Sequence, residues 1–156
     1  MTTTFIDTHA HLDGEEFQND LPEVIARAKA AGVEKIFVPA IDLVHLSELM
    51  NVCRKYPDTL HPMIGLHPEE VRDDWKDVLK NMKQHLLDNL AGTNDEPRCI
   101  AVGEVGLDYY WSREYEHEQL EAFEEQVKWA VECQLPLMIH CRKAQNEMVR
   151  LLRKYE

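Results

Sequence analysis

Cys99-Ile100-Ala101-Val102-Gly103-Glu104 poses the fold question, because an unbroken uncharged run ends in a single carboxylate. So short and continuous a run reads as a strand with helices over one sheet face and a core over the other. Lys35-Ile36-Phe37-Val38-Pro39 and Leu137-Met138-Ile139 are runs of the same kind. Longer stretches with helical spacing separate them. Strands are expected near 4–8, 35–39, 60–65, 99–104 and 137–140, and helices near 21–31, 43–56, 73–91 and 114–134, with a fifth helix from Ala144. The first helix has Asp20 as a candidate cap, Pro22 in its first turn and Gly32 just beyond its end; Asp42 is placed to cap the second, which stops before Pro57. Alternating strands and helices mean α/β units on a parallel sheet.

A strand repeat of roughly 25 to 40 residues suits a barrel or an open doubly wound sheet, and periodicity does not separate them. No Gly-rich phosphate loop follows the first strand, which weighs against a dinucleotide-binding fold. The chain has 156 residues, 44% of them hydrophobic, enough for one globular core. A complete eight-unit α/β barrel needs about 200 residues or more. The stretch from Asn146 to Glu156 also reads as helix, so the chain is expected to stop within an element.

Asp and Glu number 29 against 17 Lys and Arg, a formal net charge of −12. Such a surface repels nucleic acid and anionic membranes as a whole, so a phosphate-bearing substrate calls for bound cations. The four cysteines form no C-x-x-C pair. With no secretory leader read before them, a reducing cytoplasm is the expected location. Cys53, Cys99 and Cys133 read as buried small apolar residues. No stretch approaches the roughly 20 apolar residues of a membrane span.

The chemistry concentrates at strand ends. His9 and His11, at i and i+2 after the first strand, project from one face and can chelate a divalent ion, with Asp7 or Asp13 placed to orient a ring through its second nitrogen. Glu104 closes a buried strand, where a carboxylate is costly without a cation or a hydrogen-bond network. It can bridge two metal ions; the plainer alternative is an ion pair with Arg142. His140 ends the fifth strand at the same rim. His67 can contact a phosphate or support the rim, Arg142 can clamp a phosphate bidentately, and Asp108 with Tyr109 can shape the substrate mouth, although Asp108 also suits a loop cap. His45, His61, His85 and His117 read as solvated or packing residues. Trp75, Trp111 and Trp129 read as packing residues, with Trp111 the one whose loop could face the site.

These motifs resemble the TatD-type metal-dependent deoxyribonucleases, a branch of the amidohydrolase-like metallohydrolases. The resemblance runs over essentially all residues 1–156. It is carried by Phe5-Ile6-Asp7-Thr8-His9-Ala10-His11-Leu12-Asp13, Ile64-Gly65-Leu66-His67-Pro68, Gly103-Glu104-Val105-Gly106-Leu107-Asp108-Tyr109 and Pro136 to Arg142. It implies a parallel (β/α) TIM-barrel fold of which this chain supplies about the first five of eight units, as the N-terminal part of a single domain. It implies that His9 and His11 hold one metal, that Glu104 bridges two, and that His140 binds the second. A histidine from the sixth strand and an aspartate from the eighth complete the family's site, and both fall beyond Glu156.

The expected function is therefore hydrolysis of phosphodiesters by metal-activated water, with Glu104 and Arg142 in the catalytic role. The substrate is DNA, single-stranded or at a terminus, and the cofactors are two divalent ions among Zn, Mg, Mn and Ni. The alternatives are amidohydrolase-type cleavage of another ester or amide, or an incomplete barrel that acts only within a longer chain or a homo-oligomer. Five barrel strands leave a fifth-strand edge uncovered, an association liability. No membrane partner is expected.

Overall fold

The computed structural model describes residues 4–92 and 95–155. Five strands and five α-helices alternate: β1 (Phe5–Asp7), α1 (Leu21–Ala30), β2 (Val33–Pro39), α2 (Leu46–Lys55), β3 (Leu60–Met63), α3 (Trp75–Ala91), β4 (Val102–Asp108), α4 (Glu116–Cys133), β5 (Leu137–Arg142) and α5 (Gln145–Leu152). Every strand pairing is parallel: β1 with β2, β2 with β3, and β4 with β5. A parallel bridge between Ile64 and Val102 joins the two sheets, so the strands lie in chain order. The expected α/β architecture with parallel strands is present.

One boundary and one cap differ from the sequence reading for physical reasons. β4 begins at Val102 and runs to Asp108 instead of ending at Glu104, so the carboxylate sits inside the strand. Gly106 permits the continuation: at φ +149° it lies so close to β5 that a Cβ would collide with the His140 carbonyl oxygen. α1 starts after Asp20 with Pro22 in its first turn, but the Asp20 side chain makes no capping hydrogen bond; Asp42 accepts the His45 backbone N–H at 2.8 Å, just before α2 begins. α5 ends at Leu152 and passes directly into a 3-10 helix at Arg153–Tyr155, in line with the helical reading of this stretch.

The helices pack on one sheet face, where Leu49, Leu60, Ile64, Met82, Leu86, Phe123, Val127 and Trp129 are buried. Buried amides tie this layer to strand ends: Gln126 Oε1 accepts the Leu66 N–H at 2.7 Å while its Nε2 donates to the Leu66 carbonyl at 3.2 Å, and Gln119 Oε1 accepts the Asp108 N–H at 2.9 Å. These bonds satisfy backbone groups at and just beyond the strand ends.

The described residues cover the other sheet face only in part: Met63 is buried there, whereas Phe37 and Met138 are half-buried, so the expected burial of both faces of each apolar run is incomplete. Phe37, Met63 and Met138 line an open hollow of about 480 Å³ there. Phe5 and Ile6 in β1 are each 55% exposed, and Ile139 in β5 is exposed. β4, flanked by the end of β3 and by β5, is buried throughout, and its burial is what places Glu104 in a desolvated position. No described helix is long and apolar enough to cross a membrane.

Candidate metal centre

Glu104 is 4% exposed and gathers four imidazoles. Its Oε2 lies 3.0 Å from His9 Nε2 and 3.4 Å from His11 Nε2; its Oε1 lies 3.2 Å from His140 Nδ1 and 3.6 Å from His67 Nε2. The two carboxylate oxygens thus serve separate imidazole pairs. The ion pair with Arg142 held open by the sequence is not formed, because that guanidinium stacks on Tyr110, its carbon 3.6 Å from the ring centroid.

Burial alone pushes the Glu104 carboxyl up, but hydrogen bonds from His11, His140 and His67 outweigh it and hold the group well below the usual glutamate range. The same contact with Glu104 raises His11 and His140 above the ordinary imidazole range against the pull of burial. Such a cluster demands positive charge between its nitrogens and the carboxylate, supplied by protons or by cations.

The donor set fits cations. His9 Nε2 and His11 Nε2 are 3.0 Å apart, and with Glu104 they form a group whose ligand atoms all lie within 4.8 Å of one another. Adjacent ligand atoms on a tetrahedral zinc ion with bonds of about 2.0–2.1 Å stand about 3.3 Å apart. Separations of 3.0 to 3.4 Å around Oε2 match that spacing.

His140 carries a second constraint. Its Nε2 is 2.7 Å from Asp108 Oδ2, and Asp108 is 2% exposed. The carboxylate accepts the Nε2 proton, so a cation that replaced the Nδ1 proton facing Glu104 would meet an imidazole already oriented from behind. Burial pushes Asp108 up, but the Tyr110 N–H and His140 together hold it below the usual aspartate range. The loop-capping option for Asp108 is therefore realised, at 2.9 Å from Tyr110 N, alongside an orienting contact that the sequence did not disclose.

His67 is arranged differently. Its Nδ1 accepts the Glu69 backbone N–H at 3.2 Å, which puts the ring proton on Nε2, facing Glu104. A protonated nitrogen donates and does not ligate. His67 stands edge-on to His140, with ring centroids 4.6 Å apart, so it belongs to the site itself and not only to its rim.

Asp7 and Asp13 do not orient a strand-one ring as expected. Asp7 Oδ1 accepts the His9 backbone N–H at 3.1 Å, and His11 Nδ1 and Asp13 Oδ1 are both buried without a hydrogen-bond partner among the described residues. Tyr109, expected at the mouth, is buried instead, because alternation along the strand turns it away from Asp108; its hydroxyl donates to the Glu116 carbonyl at 3.5 Å, and burial pushes it up to about 12. Its neighbours Tyr110 and Trp111 are the exposed aromatics of this loop. Trp75 and Trp129 are buried as read, whereas Trp111 is not. Cys53 and Cys99 are buried and Cys133 is partly so. Glu69, which joins Asp108 and His140 in a further group of potential ligands, was missed; its one sequence signal is its place just after His67-Pro68.

Residues 6–156 match the family described as TatD related DNase. The chain is 36% identical over 148 residues to an uncharacterized metal-dependent hydrolase, YabD, of Bacillus subtilis, covering 95% of this chain and 54% of that protein. It is 29% identical over 150 residues to the 3'-5' ssDNA/RNA exonuclease TatD of Edwardsiella piscicida, covering 96% of this chain and 55% of that one. The crystal structure of the TatD homologue YjjV from Escherichia coli superimposes with a TM-score of 0.83 at 31% identity, over 97% of this chain and 56% of that one. The chain spans about half the length of the relatives it matches.

Proposed function

This chain belongs to the TatD-related DNase family, and from that premise we propose that it forms the catalytic rim of a metal-dependent phosphodiesterase acting on single-stranded DNA or RNA ends. The observation that carries the reading is the division of the Glu104 carboxylate, one oxygen to His9 and His11, the other to His140. That is the donor arrangement of a carboxylate shared by two cations. His9, His11 and Glu104 would hold one ion, and Glu104 with His140 the other; Zn, Mg, Mn and Ni are the candidates. Divalent cations held there supply the charge that acidifies a water and neutralises phosphoryl oxygens.

The chain's own groups do the rest. Asp108 fixes the His140 tautomer, and His67 presents its Nε2 proton toward the shared carboxylate, within reach of a phosphate oxygen entering there. Arg142 is half-buried against Tyr110, and among the described residues its guanidinium meets no carboxylate, which leaves its N–H edge for a phosphate. At a net charge of −12, a substrate held at one phosphate suits this surface better than a long duplex does. The relative named as a 3'-5' ssDNA/RNA exonuclease agrees with that preference.

The strand order β1 to β5 and the open sheet face support residues 1–156 as the N-terminal five of eight units of one TIM-barrel domain, with further ligands supplied from later strands or by another copy of the chain. Residue contacts, more than fold, argue for phosphodiesters over amides. The test is cleavage of a labelled single-stranded oligonucleotide by the purified chain across a series of divalent metals, with bound metal quantified. Glu104→Gln should lose cleavage by about 100- to 1,000-fold, the scale of removing a preorganised electrostatic group. Wild-type rates in that variant would refute the reading, as would a wild-type chain that binds no metal.

A further inference from the structure

We propose that Trp111 and Tyr110, braced by Arg142, form a stacking platform for the unpaired bases of a single-stranded nucleic acid, an inference that rests on the phosphodiesterase reading above for its place beside the phosphate site. Both residues lie in the loop that leaves β4 directly after Asp108. Trp111 is 69% exposed and Tyr110 is 48% exposed, whereas Tyr109 just before them is 5% exposed. Their rings meet edge to face, with centroids 4.7 Å apart and planes at 85°. The Arg142 guanidinium carbon lies 3.6 Å from the Tyr110 centroid and 5.2 Å from that of Trp111. An exposed indole is therefore held in place by an aromatic neighbour and a cation, and its own ring remains accessible.

Position ties the pair to the chemistry. Asp108 spends one oxygen on the Tyr110 backbone N–H at 2.9 Å and the other on His140 Nε2 at 2.7 Å, so the start of the aromatic loop and a candidate metal ligand are fixed by a single buried carboxylate. Trp111 also borders a cavity of about 330 Å³ whose walls include Pro68, Glu69, Asp108 and Tyr115. That cavity connects the indole to residues of the site.

The ligand chemistry follows from what the platform offers. It presents a broad π surface and one guanidinium, with little to read a base edge, so it binds any base by its face. Bases within a duplex are already stacked on one another, and only unpaired ones present a free face. In a chain with a net charge of −12, stacking supplies affinity that the overall field does not.

The test measures binding of a short single-stranded phosphorothioate oligonucleotide, which resists cleavage, against an abasic phosphorothioate strand of equal length, with the divalent metal present. Wild type should bind the base-bearing strand roughly 5- to 150-fold more tightly, the range for one stacked base. Trp111→Ala should erase that preference, and Trp111→Phe should keep most of it; because Trp111 is exposed, both variants should show the wild-type thermal midpoint. Equal affinity of wild type for the two strands, failure to bind either, or a preference undiminished in Trp111→Ala overturns the platform. DNA cleavage accompanied by equal affinities would sink the platform and spare the phosphodiesterase reading. A base preference without cleavage under any metal would do the reverse.

Discussion

Asp108→Asn replaces one oxygen by an amide nitrogen at nearly constant volume, and the structure lets the consequence be worked through both side-chain orientations. Asp108 now accepts two protons, from Tyr110 N at 2.9 Å and from His140 Nε2 at 2.7 Å. With its oxygen kept on Tyr110, asparagine turns its NH2 to His140 Nε2, which must then accept. The ring proton moves to Nδ1, which faces Glu104 Oε1 at 3.2 Å. His140 then donates to Glu104 and has no lone pair left for a cation. With its oxygen kept on His140 instead, asparagine sets its NH2 against the Tyr110 N–H, orphaning a part-buried donor at about 1–3 kcal/mol. The orphaned donor makes the second route the costlier one, so the first prevails and weakens metal affinity by about 10- to 100-fold, the range for lost orienting partners behind metal-bound histidines. The assay is competition for metal against a chromophoric chelator, paired with 15N NMR of the His140 ring to report the tautomer. An Asp108→Asn protein with wild-type metal affinity and stoichiometry would refute the claim that Asp108 positions His140.

Gly106→Ala should destabilise by about 3 kcal/mol or more, since a Cβ there meets the His140 carbonyl oxygen of the paired strand and the φ is disfavoured; calorimetry should show a midpoint lowered by about 2–4 °C for each kcal/mol. Gln126→Leu strands both the N–H and the carbonyl of Leu66 in the core and should cost about 2 kcal/mol in urea unfolding, whereas an unchanged midpoint would mean that water replaces the amide. The metal-free protein should be most stable in mildly acidic solution. Glu104 lies below its unfolded value, so its contribution is present above about pH 4.3 and is lost as pH falls further. His11 and His140 lie above theirs, so their contribution is full below about pH 6.5 and is lost as pH rises through the raised folded values. Urea midpoints in chelator should therefore fall from mildly acidic to mildly alkaline pH, and His140→Gln should flatten that fall.

The alternation of apolar runs with helical stretches was enough for an α/β fold on parallel strands, because burial on a parallel sheet leaves a signature in residue type alone. The same holds for the candidate ligands: His9, His11, Glu104 and His140 stand out as polar groups attached to apolar strands, which require a reason to be there. Distance between chain segments is not written in that pattern. That His67, from the loop after β3, lies within reach of Glu104, that Asp108 backs His140 instead of lining a mouth, and that Tyr109 turns inward while Tyr110 and Trp111 face solvent all depend on how far β4 runs past Glu104. That length is set by the close approach of β5 at Gly106, a contact between residues 34 apart in sequence. Local propensity cannot encode it. The choice of Arg142 between Glu104 and Tyr110 is likewise tertiary: four imidazoles already surround the carboxylate, and the nearest surface left to the guanidinium is an aromatic face.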